Sequence, residues 1–361
     1  MGRRARARSL ASPPVLIRPV DVFDDDDFAR AHAVYAAADR QGRPSPTTWP
    51  LAEMKASYRT PSSAEDVRLY VAEDGGEALG VARLELPLTD NLHLAGLAVY
   101  VRPDRWRRGV GTALAAHLRT GAEAADRRLA GAWIAGRQVH PDGTPVDGPE
   151  PPGDAFARAC GLTLRNTDLH RVLPLPVDEA VLDRLAADAA PHHADYRMVS
   201  FTARCPDEYV PAYCRLKSAM IAEAPMGDVE MEPEVWDERR LREEETELAA
   251  MGRTRFTVLA LAPDGEVAGF NELLHATHEP ARLWNWDTLV LPAHRGHRLG
   301  LAVKIANLRI VAPAHPEARE VHTHNAEQNG PMVAVNDRLG FVPIERVGEW
   351  QGPLAGLPGG P

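Results

Sequence analysis

The chain has 361 residues, of which 44% are hydrophobic and 25% charged, and a net charge of −10; at roughly 100–200 residues per domain, two domains are expected. The acidic balance gives nucleic-acid binding no electrostatic support, and no stretch approaches the roughly 20 apolar residues of a membrane span. Three cysteines, Cys160, Cys205 and Cys214, contain no C-x-x-C pair, so neither a disulfide framework nor a metal site is expected, and a reducing, cytoplasmic setting fits.

The basic start, Arg3 to Arg8, lacks an apolar run and reads as a tail over residues 1–13 rather than a secretory signal. A first half covers residues 14–175. Val15–Arg18 predicts a short strand, and Asp24–Arg40 a helix with an acidic first turn. Val67–Glu73 and Leu79–Leu86 predict a hairpin around Asp74-Gly75-Gly76. Leu92–Val101 is the next strand, followed by Pro103, a basic turn and a helix over Gly111–Ala125. Leu129–Ala135 predicts a strand, Phe156–Cys160 a short helix closed by Gly161, and Leu169–Leu173 a strand. Residues 176–195 read as a linker with a helix-like stretch. The second half, residues 196–361, repeats the order. Tyr196–Phe201 is a strand, and Asp207–Ala222 and Glu234–Met251 are helices. Phe256–Leu261 and Val267–His275 flank a turn at Pro263-Asp264-Gly265. Leu283–Leu291 precedes Pro292, a basic turn and a helix over Leu299–Val311, before a strand at Glu320–Thr323 and a helix at Pro331–Arg338.

The repeat has a period of roughly 180 residues, too long for a solenoid. Its best-marked points are two strand–turn–helix junctions. The first contains Val101, Pro103, Trp106, Arg107, Arg108, Gly109, Val110, Gly111 and Thr112; the second contains Val290, Pro292, Arg295, Gly296, His297, Arg298, Leu299 and Gly300. A turn of this kind that opens a helix aims several backbone N–H groups and the positive end of the helix dipole at one point. Such a nest suits a pyrophosphate, and flanking arginines add direct pairing.

These junctions resemble the Val-x-Pro-x-x-Arg-x-x-Gly-x-Gly signature of the GCN5-related N-acetyltransferases. The first copy has Trp106 in place of the signature arginine, and the second has Arg298 in place of the first glycine. The resemblance implies two tandem mixed α/β folds, each with a curved, mostly antiparallel sheet splayed beside the turn; one continuous sheet through both halves would count against separate domains. It also implies acetyl-CoA as co-substrate. In the first half the coenzyme would lie along Val99, Val101 and the residues Arg107 to Thr112. In the second half it would lie along Leu289, Leu291, the residues Arg295 to Gly300, and Asn325, Asn329 and Met332. Asn329 matches the asparagine that contacts the coenzyme arm in the family, while Asn336 and Ala157 stand where many members place a tyrosine acid. Loss of that acid is tolerable, because thiol pKa values lie near about 8.5 and a thiolate leaves readily. The layout is similar to that of mycothiol synthases.

Acetyl transfer needs a neutral amine, a base to take its proton and N–H donors for the oxyanion. Glu272 and Asp287, on the two strands expected to line the second cleft, are the candidate bases. The segment Asn325–Phe341 has no counterpart in the first half, where residues 136–153 look like an insertion, so catalysis is expected in the second half. An acidic run from Glu223 to Glu247 reads either as a wall that attracts a cationic amine or as a solvated helix with i,i+4 pairs. The implied activity is N-acetylation of a small-molecule primary amine by a monomer or homodimer. The alternatives are a non-catalytic acyl-CoA-binding regulator and a protein N-acetyltransferase.

Overall fold

The structure, a computed structural model, describes residues 15–359; the expected N-terminal tail lies outside them. The first half contains β1 (Leu16–Pro19), α1 (Asp25–Arg40), α2 (Leu51–Arg59), β2 (Glu65–Asp74), β3 (Glu77–Pro87), β4 (Leu94–Val101), α3 (Val110–Glu123), β5 (Leu129–Gln138), α4 (Pro152–Ala159) and β6 (Thr163–Pro174). A linker helix, α5 (Glu179–Ala189), follows. The second half contains β7 (Arg197–Thr202), α6 (Val210–Glu223), α7 (Glu238–Ala250), β8 (Arg253–Leu261), β9 (Val267–Ala276), β10 (Arg282–Val290), α8 (Leu299–Ala314), β11 (Glu320–Ala326), α9 (Gly330–Leu339) and β12 (Val342–Pro353).

Local chemistry explains α1. The Asp24 carboxylate accepts from the amides of Asp26 and Asp27, three aspartates fill the first turn against the helix dipole, and Phe28, Ala31, Val34 and Tyr35 bury one face. No such cap marks α2, whose N-cap is Pro50, and the sequence reading missed it. β12 was missed too: Pro343 and Gly348 break its apolar pattern.

The fold class is as expected, a mixed α/β chain of two tandem halves, but the expectation of one sheet per half is overturned. Among the described residues the twelve strands form one sheet in the order β1-β2-β3-β4-β5-β12-β6-β11-β10-β9-β8-β7. Each half has passed its last strand to the other. β12 pairs antiparallel with β5, β6 pairs antiparallel with β11, and the two exchanged strands pair with each other. The exchange is built into both cores. Trp350, Leu354 and Leu357 from the end of the chain pack with Leu84, Leu114 and Leu118 of the first half, and Leu173 of β6 packs with Leu283, Ile305 and Val321 of the second. Burial of each large side chain contributes about 1.5–3 kcal/mol, so neither half is complete without the other's strand. A buried ion pair between Arg43 and Glu345 of β12, at 2.7 Å, fastens the crossing.

The splay appears in both halves. β4 and β5 run parallel for three pairs, from Leu94–Leu129 to Gly96–Gly131, and then part; β10 and β11 do the same from Arg282–Glu320 to Trp284–His322.

Candidate active site

In the first half, the strand leading to the turn ends at Val101. Trp106 Nε1 donates to the Val101 carbonyl at 2.8 Å and pins the turn. In the second half Arg295 Nε donates to the Val290 carbonyl at 3.3 Å from the matching position. The tryptophan therefore makes in the first turn the hydrogen bond that Arg295 makes in the second. Each turn has two left-handed residues. These are Arg107 (φ 60°) and Gly109 (φ 85°) in the first, and Gly296 (φ 86°) and Arg298 (φ 54°) in the second. The glycine and the arginine have traded places, and the sequence reading saw only that a glycine was missing.

Beyond these turns the halves diverge. In the first, Arg107 and Arg108 are exposed, and among the described residues neither has an ion-pair partner. The amides of Val110, Gly111 and Thr112 begin α3 and so have no intrahelical acceptor. Among the described residues β4 beyond Gly96 has no partner on its β5 side, so its backbone groups there remain available. Gly111 lets α4 close in: a Cβ on it would sit 3.3 Å from Phe156.

A cavity of about 1860 Å³ opens on this arrangement. Val99, Val101, Arg107, Gly109, Gly111 and Thr112 line it, as does most of the segment 136–153 that looks like an insertion in the sequence. Val110 is buried, and Arg108 stands outside the lining. The opposite wall comes from α2, β2 and, across the seam, the second half. Glu243, Glu244 and Glu247 of α7 line the cavity together with Trp236 and Trp286. Ser63 donates to Glu243 through its amide at 2.9 Å and its hydroxyl at 2.6 Å, and Ser57 Oγ donates to Glu247 at 2.5 Å. The acidic run is therefore mostly paired, but it walls the other half's cavity.

Glu65, the first residue of β2, was absent from the sequence-based candidates. It lines the cavity, and burial, reinforced by Glu85, raises its pKa to about 7. Glu85 is held by Arg83 at 2.5 Å, whereas among the described residues no side chain pairs with the Glu65 carboxyl. Its signal in the sequence was slight: one carboxylate at a strand start, with nothing local to mark it as half-buried. Cys160 also lines the cavity, but burial lifts its thiol to about 11, which disfavours a thiolate nucleophile.

In the second half the corresponding polar side chains pair with one another. Glu272 is fully buried and outside the cavity lining. It accepts from the Tyr213 hydroxyl and lies 3.5 Å from Lys217 and 3.7 Å from Arg255. Burial, then Asp287, raises its pKa well above the usual carboxylate range. Asp287 itself contacts Lys217 at 3.4 Å. Thr323 Oγ1 donates to the Asn285 carbonyl at 3.0 Å and stitches the splay. Lys304 of α8 donates to Asn336 of α9 at 2.9 Å, and Asn336 Nδ2 donates to Asn325 at 3.0 Å. Burial brings the Lys304 pKa down to about 7. Asn329 caps α9 by accepting from the Met332 amide at 3.2 Å, and Leu289 and Leu291 pack into the core beside α6.

At the second turn the linker supplies an anion. The Asp188 carboxylate lies 2.5 Å from Arg298 and also pairs with Arg338, and these two guanidinium groups lower its pKa. His297 Nδ1 donates to the His192 carbonyl at 2.8 Å, and Arg295 pairs with Glu223 at 2.7 Å. Leu299 is buried, while Gly296 and Gly300 leave room for a side chain.

A splayed sheet with an N–H nest at the helix following its splayed strand, present twice, defines an acyl-transferase fold. Comparisons with known proteins give the family. The chain is 30% identical to a tandem GNAT protein from the clavulanic acid biosynthesis pathway, over 94% of this chain and 99% of that one, with a TM-score of 0.76. A GCN5-related N-acetyltransferase from Sphaerobacter thermophilus is 15% identical, with 96% of each chain covered and a TM-score of 0.62, and shares the fold. The sequence model of the acetyltransferase (GNAT) family matches residues 31–139. No curated protein matches the chain. The chain belongs to the GNAT acetyltransferase family, whose members are acyltransferases.

Proposed function

We propose that the chain is an acetyl-CoA-dependent N-acetyltransferase acting on a primary amine of a small molecule, with its chemistry in the first half's cavity rather than in the second half. The observation that carries this reading is the continuity of one cavity from the open turn at Arg107–Thr112, along the unpaired edge of β4, to Glu65. The family match to residues 31–139 falls on the same half. The residues suit the coenzyme. Unpartnered N–H groups at the start of α3 and the cations Arg107 and Arg108 would hold the pyrophosphate, and the β4 edge would line the arm.

Bound there, acetyl-CoA supplies an activated thioester. The unpaired amides of β4 stabilise the developing oxyanion. Glu65, with a pKa near the working pH, takes the proton of the incoming ammonium directly or through water, so the neutral amine forms the amide bond as the carbon–sulfur bond breaks. The α7 carboxylates favour a cationic acceptor over an anionic one, and the second half serves as a scaffold that contributes a strand and a wall.

The test combines calorimetry with acetyl-CoA and free-thiol release across a panel of small amines. One acetyl-CoA per chain and amine-dependent release are expected. Tight binding without release for any amine would favour a binding protein, and two coenzymes per chain would restore the second site.

A further inference from the structure

A second cluster lies outside the cavity, at the opposite end of β9 from the turn at Pro263–Gly265. His275, the penultimate residue of β9, is 6% exposed and pairs across the sheet with Thr254 and Leu283. Its Nε2 is buried and has no hydrogen-bond partner among the described residues, although Glu317 Oε1 stands 3.2 Å away. His315, at the end of α8, places Nδ1 3.1 Å from the same Glu317 oxygen. The three ligand atoms lie within 4.8 Å of one another. The two rings stack with centroids 3.7 Å apart and planes 21° from parallel, and the Phe256 ring meets His315 edge-on.

A buried imidazole nitrogen left without a partner is costly. A second imidazole stacked on it supplies no proton along the required direction, and the nearest carboxylate oxygen is close but misaligned. A cation between the three groups satisfies all of them. We propose that His275, His315 and Glu317 form a binding site for a divalent transition-metal cation of the zinc type, with water completing the shell on the solvent side, where the Glu317 side chain is 43% exposed.

The chemistry selects the metal class. Zinc is held by imidazole nitrogen and carboxylate oxygen at about 2.0–2.2 Å, which places tetrahedral ligand atoms about 3.4 Å apart. The two nitrogen-to-oxygen separations of 3.2 and 3.1 Å are near that value, so binding needs only that the stacked rings fan apart. Calcium and magnesium prefer all-oxygen shells. Cysteine counting pointed away from any metal because these ligands are two histidines 40 positions apart in sequence and a glutamate.

The site would tie the connection between α8 and β11 to the end of β9. The same connection holds the exchanged strand: the Arg319 amide donates to the Ala281 carbonyl at 2.7 Å, and the Leu175 amide donates to the Arg319 carbonyl at 2.7 Å. A cation there clamps the second half where β6 enters it, and binding the folded state alone raises the melting temperature.

The experiment uses the full chain stripped by a chelator and titrated with zinc sulfate in a calorimeter, with melting temperature followed in parallel. One zinc per chain and a higher melting temperature are expected. His275→Ala and Glu317→Gln should each weaken zinc binding by about tenfold or more. Glu317 is exposed enough that its variant keeps the fold, as circular dichroism would verify. No zinc uptake by the native chain, or uptake unchanged in both variants, overturns the site. Neither readout depends on acetyl transfer.

Discussion

The two turns have nearly the same backbone and opposite surroundings. Both are pinned by a side-chain donor to the strand's last carbonyl, from Trp106 in one and Arg295 in the other. Both place two residues in left-handed conformation before a helix. In the first, Arg107 lines a cavity and Arg108 is exposed beside it. In the second, Arg298 is paired with Asp188 from the linker helix, and Lys304, Asn336 and Asn325 bridge α8, α9 and β11. The Arg298 charge beside the second turn is already met by a carboxylate of the same chain, so the two turns offer an incoming anion different electrostatics.

The largest expected effect tests the chemistry proposed for the first half. Glu65→Gln should lower kcat by about a hundredfold or more, the scale of a lost general base, with acetyl-CoA affinity retained. The sign of the pH effect follows from a carboxyl raised to about 7. The base works when deprotonated, so the native rate climbs as pH rises through about 7 and levels above it; the Glu65→Gln profile loses that limb. A limb that persists in the variant would assign the proton transfer to another group.

A smaller effect separates the turns themselves. At Gly109 the φ of 85° is strained for any side chain, and a β-branched residue suffers most. Gly109→Val should raise the acetyl-CoA KM by about ten- to a hundredfold, as expected from about 1–3 kcal/mol of backbone strain. Gly300 lies in a helix, and a Cβ there would meet only Val290 Cγ2 at 3.9 Å. Gly300→Ala and Asp188→Ala should therefore each leave steady-state turnover within about twofold, as for surface changes away from the site. Equal losses in Gly109→Val and Gly300→Ala would mean that both turns carry coenzyme.

What the sequence made legible was local. The two junctions and most helices and strands follow from periodicity, caps and turn residues within short windows. The exchange of β6 and β12 was not legible, because a strand's partner is set by contacts far along the chain: Trp350 pairs with Ala132 and Leu164. The preference for the second half rested on asparagines that matched the family pattern. In the structure Asn329 caps a helix, and Asn336 donates to Asn325. Asp188, which pairs with Arg298 beside the second turn, lies in a linker with no motif at all.

The finest distinction between the halves is the residue that pins each turn. If Trp106 stands in for the family arginine through its indole N–H, the bond to the Val101 carbonyl matters and the ring itself does not. Trp106 is 37% exposed, so the loss of one hydrogen bond should cost about 0.5–1.5 kcal/mol. Trp106→Phe keeps an aromatic ring without the donor, and acetyl-CoA affinity should fall roughly two- to tenfold, with each 1.4 kcal/mol being a factor of ten. Trp106→Arg restores the family residue and can donate through Nε as Arg295 does, so affinity should stay within about twofold of the native value. Calorimetry on the two variants decides the point. If Phe were the better replacement, the ring's packing would hold the turn, and the likeness to Arg295 would be one of position alone.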